Sequence, residues 1–258
     1  METRSRTIDL PAGACVREKN IIGGSIFNVQ YIPSKSWWFE VTTGLEKEHT
    51  RAKGTFEANK SRFGFDDIVL AGGHRFFITD DWQFVLYGLA GFPTRYKVTP
   101  EEVYTTLVGT RFFSAGVGGE LSYSFINSME TMLIGTLQAR FLHFFSRQWF
   151  PVLPCDAKIQ PGNVTDALLS LKYRHKKNIV ELIYNPTFFT NQAFLLKDST
   201  VEVPAFVRHS VSISFAHVFV PSSQAKTMVV VEVGLNPGWS KFFKTRLFAY
   251  WADFGLVF

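Results

Sequence analysis

The chain has 258 residues and a net charge of +5; 16% of its residues are aromatic, with Phe alone numbering 27, and 19% are charged. That length suits one sizeable all-β domain or two small ones. A mean hydropathy near zero excludes a membrane helix bundle, and no stretch approaches the roughly 18 uncharged apolar residues of a spanning helix. Lys and Arg are scattered, with His175, Lys176 and Lys177 the one tight cluster, so nucleic acid is not an expected partner. So much Phe at middling hydropathy fits a sheet whose alternate side chains face lipid and lumen.

Residues 1–35 carry charge without the apolar run of a signal peptide, although Arg4 and Arg6 are present. They read as an N-terminal segment, periplasmic or plugging a lumen, ahead of a β-domain over 36–258. An export signal is expected to lie outside this numbering.

From there the chain alternates with period two, the signature of half-exposed strands. Trp37, Phe39 and Val41 oppose Glu40 and Thr42. The runs 68–78 and 82–92 are apolar on both sets, with Asp80 and Asp81 in the tight turn between them. Over 111–125, Phe113, Ala115, Val117, Gly119, Leu121, Tyr123 and Phe125 oppose Ser114, Gly116, Gly118, Glu120, Ser122 and Ser124. Leu133, Leu137, Ala139 and Phe141 then oppose Thr136, Gln138 and Arg140. Leu169, Leu171 and Tyr173 oppose Ser170, Lys172 and Arg174; Val180, Leu182 and Tyr184 oppose Glu181 and Asn185. Val207, Val211, Ile213 and Phe215 oppose Arg208, Ser210, Ser212 and Ser214, and Val229, Val231, Val233 and Leu235 oppose Glu232 and Gly234. Runs of this length suit tilted membrane strands.

Short turns fall near 79–81, 127–130, 175–178 and 221–226. Long connections fall near 45–64, 93–106, 146–165, 187–204 and 236–244. Short and long alternate strictly, as in outer-membrane barrels. The count is ten strands, or twelve if 21–31 and a split within 45–64 are added.

The last run places Phe248, Tyr250, Ala252, Phe254, Leu256 and Phe258 on one set of alternate positions. It resembles the C-terminal signature of bacterial outer-membrane β-barrel proteins, and the resemblance covers 36–258 as architecture without naming a subfamily. It implies a closed antiparallel transmembrane barrel in the bacterial outer membrane, with lipid and the barrel-assembly machinery as partners. The machinery would read Phe248, Tyr250, Phe254, Leu256 and Phe258. A mitochondrial barrel, which needs no cleaved signal, is the other source of such a sheet. Aromatic girdles are expected from Trp37, Tyr123, Phe125, Tyr173, Tyr184, Tyr250 and Phe258, with His209 and His217 interfacial.

The inward set would then hold Glu40, Glu120, Glu181, Glu232 and Asp253 against Arg111, Arg140, Lys172, Arg174 and Arg208. Glu40, Glu232 and Asp253 are expected at similar depth on adjacent strands, the last strand pairing with the first. A salt-bridged filling of the lumen is one reading, a narrow porin-like passage another, since about ten strands lie near the filled end of barrel sizes. The functional expectation is a structural, adhesive or narrow-pore barrel with long extracellular loops. Its rival is an outer-membrane enzyme, protease or lipid hydrolase, with its site at the extracellular rim. No G-x-S-x-G or H-E-x-x-H motif is present. His49 lies near Glu46 and Glu48, and His209 and the adjacent Ser210 face opposite ways, so no catalytic residue is assigned. No metal site or cofactor is expected. Cys15 and Cys155 permit one disulfide if residues 15–35 thread the lumen; two free or intermolecular thiols are the alternative.

Overall fold

A computed structural model describes residues 2–9, 15–54, 58–94, 112–148, 158–196, 199–219, 228–240 and 245–257. Every regular element among them is a strand. In chain order these are β1 (Glu2–Asp9), β2 (Cys15–Tyr31), β3 (Trp37–Gly54), β4 (Ala58–Phe65), β5 (Ile68–Phe77), β6 (Trp82–Phe92), β7 (Ser114–Asn127), β8 (Thr131–Phe144), β9 (Arg147–Gln148), β10 (Lys158–Gln160), β11 (Val164–His175), β12 (Asn178–Phe189), β13 (Gln192–Leu196), β14 (Ser199–Val203), β15 (Phe206–Phe219), β16 (Met228–Ser240) and β17 (Thr245–Val257).

Thirteen strands form one antiparallel sheet in the order β2-β1-β17-β16-β15-β12-β11-β8-β7-β6-β5-β3-β4, and β2 pairs with β3 in addition. The strands β9, β10, β13 and β14, drawn from two of the long connections, form a second sheet of four. Short turns at 78–81, 128–130 and 176–177 lie at one end of the main sheet. Neighbouring turns there are laced together: the Lys176 amide donates to the Glu130 carbonyl, and the Val218 amide to that of Lys177.

Packing in this sheet is inverted relative to a soluble sandwich. Buried apolar residues among those described are Val85, Tyr87 and Ala216, whereas Val117, Leu137, Leu169 and Ile213 are at least half exposed. The buried polar set includes Thr187, Ser210, Ser212 and Ser214. The alternation over β7 and β15 thus sorts as the sequence predicts, the greasy set outward and the small polar set inward. A bulge between Ser124 and Ile126 breaks it at the end of β7, leaving Phe125 and Ile126 both exposed.

Two expectations change. Residues 2–9 and 15–31, read as a segment outside the β-domain, lie in the main sheet as β1 and β2. Their ladders use backbone groups, which polar residues supply as well as apolar ones. The connection near 236–244 is not long: β16 and β17 stay paired out to Ser240 and Thr245.

Candidate functional site: the inner polar set

Strand register brings the inward residues together. Gly118 of β7 faces Tyr87 of β6 and Arg140 of β8, and Arg140 faces Asp166 of β11. The Arg140 guanidinium donates through Nε to Asp166 Oδ2 at 3.1 Å, a charge-assisted pair. Gln138 Nε2 donates to the Tyr87 hydroxyl at 2.7 Å, and the Trp38 and Tyr87 rings lie 6.0 Å apart. These groups bring three large side chains, Tyr87, Gln138 and Arg140, to one level of the inner face. Gly118 exists to admit Tyr87, because a Cβ there would collide with the phenol ring. Gly118→Ala is therefore expected to destabilise the fold by about 1–3 kcal/mol through overpacking. Most of that loss should vanish in a Tyr87→Ala background, as measured by chemical unfolding of all three variants; equal losses in both would refute the contact.

Toward the short-turn end the inner face opens into a cavity of about 310 Å³ whose lining includes Asp80, Asp81, Glu120, Thr136, Lys172 and Glu181. Lys172 pairs with Glu181 at 3.1 Å, the two lying opposite each other in the ladder. Ser122 donates to Glu120 at 3.2 Å and shares a hydrogen bond with Thr136. Glu40 accepts from Thr42 Oγ1 at 3.0 Å and from Gln30 Nε2 at 3.4 Å. Arg208 stacks on the Phe189 ring at 5.6 Å.

Not every expected neighbour meets. Glu232 and Asp253 are ladder partners between β16 and β17, but Glu40 is not adjacent to them, because β1 and β2 stand between β17 and β3. Arg111, Cys155 and Phe258 lie outside the described residues, so the proposed disulfide and the final residue of the assembly signal do too. Cys15 opens β2 opposite Asp9. Phe248, Tyr250, Phe254 and Leu256 all lie in β17, with Phe254 opposite Val231. Asp166 and Tyr87 are residues of the inner polar set that sequence reasoning missed.

Outside, aromatic rings cluster at the short-turn end: Trp82 against Tyr123 at 4.6 Å, Tyr123 against Phe125 at 4.9 Å, Trp37 against His74 at 4.8 Å. His209 bonds the Tyr184 hydroxyl at 2.8 Å, and His217 bonds Asn178 at 2.7 Å. At the opposite end His143 bonds Asn163 Oδ1 at 2.8 Å. His49 bonds Ser61 at 2.7 Å across β3 and β4. No group of three metal-ligating side chains occurs among the described residues.

No protein-family model matches the chain, and no curated protein matches it. Among solved structures it is similar to an outer membrane channel from Pseudomonas putida F1, at 10% identity and a TM-score of 0.61, covering 98% of this chain and 93% of that one. It also aligns with the β domain of the Bordetella autotransporter BrkA, at 9% identity, 100% and 97% coverage and a TM-score of 0.44. A bacterial polysaccharide outer membrane secretin aligns at 11% identity, 98% and 84% coverage and a TM-score of 0.33. The last two are too distant to carry an argument. At such identities the first speaks to fold alone, and the chain has an all-β antiparallel fold of the kind found in outer-membrane barrel proteins.

Proposed function

We propose that this chain is a closed β-barrel of a bacterial outer membrane whose lumen is a narrow, charge-lined passage. The observation that carries the reading is the inverted packing, with Val117, Leu137, Leu169 and Ile213 exposed while Ser210, Ser212, Ser214 and Thr187 are buried. Water does not stabilise that arrangement; hydrocarbon outside and a polar lumen inside do. The β2–β3 pairing, which joins the two ends of the strand order, supports closure as a ring of twelve strands, with β4 and β5 sharing one place beside β3. Backbone groups in hydrocarbon must all be paired, which favours a closed ring. Twelve strands lie between barrels filled by their own side chains and open porins. The crowding at Tyr87, Gln138 and Arg140 supports a constriction at that level.

Purified, refolded chain in a planar bilayer is expected to pass small ions, and Tyr87→Ala is expected to raise the single-channel conductance. A silent bilayer with both proteins would sink the passage reading while leaving the barrel reading to detergent dependence. The display reading keeps one specific support, the second sheet of four strands built from the long connections. For the enzyme reading, the rim histidine His143 bonds the side-chain oxygen of Asn163.

A further inference from the structure

We propose that the cavity at the long-connection end of the main sheet binds an uncharged sugar ring, carried by a membrane glycolipid or by a free saccharide. The cavity holds about 350 Å³ and is bounded by the end of β8, the turn ahead of β11 and the residues after β12. Those last two segments are stitched together. The Thr190 amide donates to the Asn163 carbonyl at 2.9 Å, and the Asn163 amide donates to Thr190 Oγ1 at 2.7 Å. Gly162 packs so closely between them that a Cβ there would collide with the Thr190 carbonyl oxygen. Gln160 of β10, which also lines the cavity, pairs with Ala193 of β13, so both long excursions converge on this one hollow. Such a site is preformed, as small-ligand sites commonly are.

The lining selects the ligand. It offers side-chain amides, hydroxyls, one imidazole and two Phe rings, and no Asp, Glu, Lys or Arg among the described residues. A phosphate, carboxylate or ammonium group would find no counter-charge there. His143 Nδ1 donates to Asn163 Oδ1 at 2.8 Å, so in the neutral ring Nε2 remains an acceptor. Asn191 Oδ1 accepts from the Ala205 amide at 2.7 Å. Asn163 and Asn191 thus keep their NH2 groups for the cavity, Thr190 its hydroxyl proton and His143 a lone pair. Donors interleaved with an acceptor suit vicinal hydroxyls, each of which gives one hydrogen bond and takes others. The apolar surface that a sugar ring also needs is Phe145, half exposed. Its ring is held edge-on to His143 at 5.0 Å, and its amide is bonded to the Phe113 carbonyl at 2.9 Å. Phe141 and Phe188, both exposed, stand two residues before His143 and Thr190 on their strands. An apolar wall therefore continues directly from the polar hollow. Resting on the membrane-barrel reading, the hollow lies at headgroup level and the acyl chains of a glycolipid run along that wall; without that reading it stands open to free saccharides.

The test uses the full chain in phosphatidylcholine vesicles and two glucosyl probes that carry the same photoreactive diazirine. One probe is a diacylglycerol glucoside, the other a water-soluble methyl glucoside. Irradiation followed by mass spectrometry is expected to place the adducts within residues 143–146, 160–163 and 190–191. Phe145→Ala should cut the yield about tenfold through loss of one aromatic face. The same truncation at the exposed Phe76, at the short-turn end, should leave the yield unchanged. Gln160→Ala, at an exposed position, should lower it about threefold and decides the matter if Phe145→Ala fails to fold. Labelling by the soluble probe assigns a free saccharide as sufficient; labelling by the lipid probe alone assigns a glycolipid. Adducts spread along the strands, or equal labelling by a permethylated probe that has no hydroxyl to donate, would overturn the site. A chain that stays in solution without detergent or lipid would overturn the barrel reading instead, and the soluble probe would still decide the cavity.

Discussion

Replacing Ile213 by arginine is expected to destabilise the lipid-embedded protein by about 2–4 kcal/mol. Ile213 sits midway along β15, half exposed, between Leu182 of β12 and Leu235 of β16, which are similarly exposed. If this surface meets hydrocarbon, the guanidinium must be dragged to the bilayer midplane or the strand must shift. If it meets water, the substitution adds a solvated charge and costs no more than about 0.5 kcal/mol. The control is Thr136→Arg, on the inner set and lining the cavity near the short turns, where the new charge stays out of the lipid. Guanidinium titration in lipid vesicles measures both variants, and a cost for Ile213→Arg no larger than the control's would remove the membrane assignment.

The second large effect concerns a proline in mid-sheet. Pro186 lies in β12 between β11 and β15, where proline is normally excluded because it has no N–H to give. The β11–β12 ladder keeps its register from Asp166↔Thr187 to Leu169↔Tyr184, and the pairs lost are those of Ala167 and Leu168. The carbonyl this leaves over is Ala167's, and the side-chain amide of Asn185 donates to it at 2.8 Å. Asn185 therefore replaces a backbone donor. Asn185→Leu is expected to cost about 1–3 kcal/mol, the usual penalty for an unsatisfied buried acceptor. In a Pro186→Ala background the ladder regains its N–H, and the same substitution should then cost little. A double-mutant cycle measures the coupling; additive losses would show that Asn185 has another role.

Much of the sheet was legible because its strands sort residues by polarity at period two, and the sorting of Val117 from Gly118 or Ile213 from Ser214 is a local matter. β1 and the first part of β2 were not legible on those grounds, although 21–31 stood as a possible further strand. Their Arg17, Glu18, Lys19 and Asn20 carry no greasy alternate set, and they enter the sheet through backbone pairing with β3 and β17. The error about Glu40 follows directly, since β1 and β2, left out of the count of ten, displaced it from Asp253. On the inner set, Arg140 was evident as a lone charge among small polar residues. Its partner Asp166 was not, because the pairing depends on a register between strands 26 residues apart in sequence. Tyr87 was hidden for a different reason: β6 is apolar on both sets, so nothing in its pattern says which way the ring turns. Asn185 looked like any inward amide until Pro186 was seen to leave a carbonyl empty-handed.

The small sheet built from residues 147–148 and 158–160 on one connection and 192–196 and 199–203 on another makes those two excursions a single architectural unit. Neither can be exchanged alone: grafting a foreign sequence over the first would strip β13 of its neighbour β10 and leave a bare edge facing outward. Chimeras made by swapping one excursion should fail where chimeras swapping both survive.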